Sequence, residues 1–123
     1  MSRIFWRATL AFIFSLFIGA LANGNEPRIA LVVGNSSYEY TSVLANPSND
    51  AGRIAETLGN LGFDVELGLD LTEDQFAEML SDFADRIVGA EVALFYYAGH
   101  GMQFRQQNYL IPVDARLENQ FSI

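Results

Sequence analysis

The chain has no cysteine and no lysine, and only one histidine, His100. Without cysteine there is no disulfide framework and no thiolate zinc site, and one imidazole among carboxylates would suit a hard cation better than zinc. Clustered positive charge is absent too. Seven arginines stand against fifteen acids for a formal net charge of −8, so the footprint of a nucleic-acid partner is missing. No lysine-bearing Walker loop follows a strand, and after Gly34 no glycine occurs before Gly52, which removes the dinucleotide-binding loop. No cofactor is implied. A Gly-x-Ser-x-Gly elbow is also lacking, yet a serine–histidine pair stays open through Ser36, Ser37, Ser42 and Ser48.

What is present points to one small domain: 123 residues, half of them hydrophobic. Glu56, Asp64, Glu66, Asp70, Glu73, Asp74, Glu78, Asp82 and Asp85 read as solvated helix faces and loop ends. The first segment has Arg3 and Arg7, an apolar block from Ala8 to about Ala20, and the small-x-small triplet Ala20-Leu21-Ala22. That order is expected of a secretory signal peptide over 1–22, cleaved after Ala22, with a short linker over 23–27. An uncleaved membrane anchor is the competing reading. Cleavage would leave five arginines against fifteen acids, a net charge of −10, on a secreted or periplasmic domain.

Beyond Pro27 the pattern alternates. "RIALVVGN" reads as a strand buried on both faces. "NDAGRIAETLGNLG" reads as a helix ended by Gly62, "FDVELGL" as a strand, and "LTEDQFAEMLSDFADRIVG" as a helix opened by Thr72 and Gln75 in capping-box spacing. "EVALFYYAGHG" reads as the next strand. This order predicts an α/β layered fold with a mainly parallel sheet, one edge of it left unpaired. Ligands gather at the carboxyl ends of such strands, where Gly99 and Gly101 flank His100. Two roles stay open for this histidine on the local pattern: an imidazole projecting into a cleft between glycines that lend unusual backbone angles, or a strand cap bonded to a nearby carbonyl.

"IALVVGNSSY", "LANPSNDAGRIAETLGNLGFDV", "FYYAGHGMQ" and "NYLIPVDA" together resemble the large-subunit portion of a bacterial caspase-like (metacaspase-related) cysteine peptidase. The resemblance implies a caspase-like three-layer sandwich, incomplete in this chain, with residues 28–123 as the N-terminal part of the peptidase domain. It implies that His100 is the catalytic histidine and that the Gly101 N–H is one oxyanion donor, with a protein or peptide as substrate. Asn49 and Asp50 are expected to organise the start of the first helix, and Asp114 to organise a loop. The family's nucleophile follows as Asp-x-Cys roughly 40 to 50 residues after the histidine, beyond Ile123. The expectation is therefore a fragment holding the histidine half, its C-terminal part missing; "ARLENQFSI" trails off without a closing element. A non-catalytic exported interaction module is the alternative, with a flavodoxin-like small-molecule binder behind it. Membrane contact is expected only through an uncleaved N-terminal segment. The loop after the first strand has no arginine but offers Glu39 and Asp50, which leans toward a basic residue before the scissile bond.

Overall fold

The computed structural model describes residues 26–116 and the backbone of 11–19. The expected cleavage triplet Ala20–Ala22, most of the linker, and the trailing Phe121 and Ile123 lie outside the described residues. In chain order the elements are β1 (Ala11–Gly19), β2 (Arg28–Gly34), α1 (Pro47–Asn60), β3 (Asp64–Leu69), α2 (Glu73–Ile87), β4 (Val92–Phe104) and β5 (Gln107–Leu110).

The apolar run of β2 takes the centre of the sheet, paired in parallel with β3 on one side and β4 on the other. Its side chains alternate between two cores, as a strand buried on both faces must. Ile29, Leu31 and Val33 pack with Phe76 and Phe83 of α2, while Ala30 and Val32 pack with Ala51 and Leu58 of α1. The result is helix, sheet, helix: the expected three layers. Helix α1 begins two residues before the expected start, because Pro47 already holds the φ a first turn requires. Helix α2 begins with the expected capping box, in which the Gln75 N–H donates to Thr72 Oγ1 and the Thr72 N–H to Gln75 Oε1.

Two features of β4 go beyond the expected pattern. In the full chain the outer edge of β4 is covered, since β1 pairs antiparallel along it from Ala11 opposite His100 to Gly19 opposite Val92; β1 lies within the segment 1–22, so the bare edge expected of the cleaved chain concerns the sheet without it. Strand β4 also does not stop at the glycines. It runs to Phe104 and turns back into β5 through Arg105 and Gln106, at φ 49° and 65°. A two-residue hairpin with both central residues left-handed favours Asn-Gly. Each bulky residue held there costs about 1 kcal/mol, so Gln106→Gly is expected to raise the urea midpoint by an equivalent of about 1 kcal/mol. An unchanged or lower midpoint would show that the turn is not strained.

Candidate active site

At the carboxyl edge of the sheet, β2 ends in Gly34 and Asn35, and β4 carries Tyr97, Gly99, His100 and Gly101 past it. Asn35 is fully buried and stitches this edge together. Its N–H donates to the Ala98 carbonyl at 2.9 Å, its Nδ2 donates to the Ile111 carbonyl at 3.3 Å, and its Oδ1 accepts from the Leu71 N–H at 2.9 Å. The loop after β2 is held by Asp70, whose Oδ1 accepts from the N–H groups of Ser36 and Ser37 at 2.9 Å each. Asp70 was expected as a solvated acid; it is a loop anchor instead. A carboxylate that folds back on a loop from a distant strand end carries no local pattern to announce it.

This anchored loop brings the Ser42 carbonyl to 2.7 Å from His100 Nε2. A carbonyl only accepts, so Nε2 carries the proton, and the lone pair of the neutral ring lies at Nδ1. The ring packs against Tyr38, with centroids 4.5 Å apart, and the residue is fully buried. The ring is buried in this structure, and it bonds a carbonyl of the loop after β2 rather than one of its own strand. Ser42 meets it through its backbone, while the Ser36 and Ser48 hydroxyls bond each other at 2.9 Å.

The backbone of His100 is held as firmly as its ring. Its N–H donates to the Tyr38 hydroxyl at 2.8 Å, and its carbonyl accepts from the Tyr97 hydroxyl at 2.7 Å and from the Ile111 N–H at 3.1 Å. Gly99 is needed here for space, not for its angles, since it is not among the residues of positive φ. A Cβ at Gly99 would stand 2.5 Å from the Tyr97 hydroxyl oxygen and 2.7 Å from that of Tyr38. Gly101 likewise has no positive φ and sits in β4 opposite Leu110.

The remaining candidates settle around this centre. Asp114 Oδ1 accepts from the Glu73 N–H at the start of α2 at 2.9 Å, the loop-organising role expected of it. Asn49 and Asp50 lie in the first turn of α1, although the N-cap is Asn46 and makes no side-chain cap bond. Asp50 stands close enough to β4 for its charge to act on the Tyr96 hydroxyl. Glu39 is exposed, its N–H donating to the Val113 carbonyl.

Residues 27–123 match the family model described as the caspase domain. The chain belongs to the caspase-domain family. Among curated proteins it is similar to the mucosa-associated lymphoid tissue lymphoma translocation protein 1 homolog of Mus musculus, 34% identical over 90 residues. It is 33% identical over 90 residues to the corresponding Homo sapiens protein. Each match takes in 73% of this chain and 11% of the relative, so the chain spans about a tenth of the length of these proteins.

Burial pushes the Tyr97 hydroxyl far above the ordinary tyrosine value of 10.0, and burial raises that of Tyr38 as well. Below pH 10 both states of the chain keep these protons. Above it the unfolded chain releases the Tyr97 proton while the folded chain keeps it, so stability is expected to fall by about 1.4 kcal/mol per pH unit from Tyr97, with the raised Tyr38 adding a loss in the same direction. Urea midpoints at pH 9, 10 and 11, with tyrosinate absorbance followed in parallel, test this; a flat midpoint would refute it.

Proposed function

We propose that this domain is the histidine-bearing part of a caspase-like cysteine endopeptidase of the bacterial, metacaspase-related kind. The observation that carries the reading is the bond from His100 Nε2 to the Ser42 carbonyl at 2.7 Å, which puts the proton of the neutral ring at Nε2 and leaves Nδ1 to act as the base. In this reading His100 takes the proton of a cysteine thiol and later gives it to the leaving amine. The Gly101 N–H receives the oxyanion as the thiolate attacks the peptide carbonyl. The 123 residues contain no cysteine, so the nucleophile comes from outside them.

Protein or peptide is the substrate, and the acids Glu39 and Asp50 favour arginine or lysine before the cut. The polypeptide is exported, its first 22 residues acting as a signal peptide; N-terminal sequencing of the exported form should begin at Asn23. A decisive assay compares the 123-residue chain with the product of its reading frame continued past Ile123. Neither arginyl nor aspartyl reporter peptides should be cut by the chain alone. The continued product should cut the arginyl peptide, and iodoacetamide should stop it. Hydrolysis by the chain itself that survives iodoacetamide would overturn the mechanism, and preference for aspartyl would overturn the substrate class. A continued product that has no cysteine and cuts neither peptide would favour the non-catalytic interaction module.

A further inference from the structure

The β4–β5 ladder ends at Gly101 opposite Leu110, and the next rung, His100 opposite Ile111, is spread open. In a regular antiparallel pair, His100 and Ile111 would exchange two backbone bonds. One is made, from the Ile111 N–H to the His100 carbonyl. The other is replaced by a side chain: the His100 N–H donates to the Tyr38 hydroxyl, which in turn donates to the Ile111 carbonyl at 3.0 Å. The Tyr97 hydroxyl, buried beside it, donates to the His100 carbonyl at 2.7 Å, shorter than the backbone bond at 3.1 Å. Two phenols therefore do what a closed ladder does elsewhere. Their rings are fixed from other elements, Tyr97 stacked on Phe76 of α2 at 5.8 Å and Tyr38 packed with Met102, Ile111 and Val113.

The consequence follows from the planar trans peptide. The His100 carbonyl and the Gly101 N–H belong to one peptide unit and point in opposite directions. Two donors that pull the carbonyl toward β5 aim the Gly101 N–H away from β5. We infer that Tyr97 is a positioning residue that locks the His100–Gly101 peptide with its N–H outward, while Tyr38 locks the preceding Gly99–His100 peptide. This rests on the proposed function in one respect, that the Gly101 N–H is the oxyanion donor. A donor that must not reorganise during reaction has to be held beforehand, and an open rung alone would leave this peptide with a single bond.

The two hydroxyls predict separable effects, readable by NMR in the ¹⁵N-labelled 123-residue chain. In Tyr97→Phe, conformational-exchange broadening should appear at the Gly101 and Ile111 amides, and the Ile111 amide, which donates to the same His100 carbonyl, should exchange with solvent at least tenfold faster. Tyr38→Phe should show the same at the His100 amide and leave Gly101 nearer the wild type. Tyr96→Phe, lacking a hydroxyl that packs against the α1 side, should change neither. A Gly101 amide as sharp in Tyr97→Phe as in the wild type would overturn the inference. So would equal changes at both amides in all three variants, because that is the pattern of a general loss of stability. Should Tyr97→Phe fail to fold, Tyr38→Phe decides: His100 must respond before Gly101. No readout requires hydrolysis. A clamp found in a chain whose continued product cuts no peptide leaves the inference standing and removes the proposed reaction.

Discussion

His100→Gln, made in the product that carries the cysteine, is expected to lower kcat/KM by about 10² to 10⁴-fold, the usual contribution of a positioned acid–base group. Glutamine is the informative replacement. Its side-chain amide can still donate to the Ser42 carbonyl, so the loop after β2 keeps its partner, but it has no basic nitrogen to offer a thiol. His100→Ala would remove the same chemistry and also open a cavity where a fully buried ring now sits, mixing the two causes. The glutamine variant should therefore remain folded, with a urea midpoint close to the parent, and show that loss toward the arginyl peptide. Activity within tenfold of the parent would remove His100 from the mechanism.

Gly34→Ala is expected to be the most damaging single methyl group in the domain, costing about 3 kcal/mol. Gly34 ends β2 where the first turn of α1 crosses it, and a Cβ there would lie 2.5 Å from the Pro47 carbonyl oxygen and 2.7 Å from the Ala51 Cβ. The first neighbour is backbone and cannot turn aside. Helix α1 would have to lift from the sheet, taking with it the packing of Ala51 and Leu58 on Ala30 and Val32. Against a total stability on the order of 5 to 15 kcal/mol for such a domain, that loss should show as a large drop in urea midpoint. Adding Ala51→Gly relieves only the second contact and should restore only part of it. Full recovery in the double variant would show that the helix backbone is not the obstacle.

Hydrophobic period and end signals were enough to read the three core strands, both helices and their layering, because those elements are short-range consequences of side-chain alternation and capping. Thr72 and Gln75 are three residues apart, and their mutual bonds form wherever that helix starts. The motifs around "YYAGHG" likewise carried the resemblance to the caspase-domain family, since a contiguous motif leaves a contiguous trace. The hairpin at Arg105 and Gln106 left none: its turn uses residues that carry no left-handed preference, and the ladder of β4 and β5 pays that strain.

Only the tertiary structure decided how the imidazole is held. The Ser42 carbonyl is 58 positions away from His100 in the chain and is a backbone atom, so no residue type at that position signals it. Tyr38 sits 62 positions away and would read, by sequence, as one more aromatic residue in a loop. Asp70 and Asn35 are comparable, polar residues whose partners are amides and carbonyls brought near by the crossing of separate strands. Side-chain periodicity sorts residues to faces of a sheet. Which backbone atom meets which ring at the sheet's edge is settled by where the loops close, and that is a property of the folded chain alone.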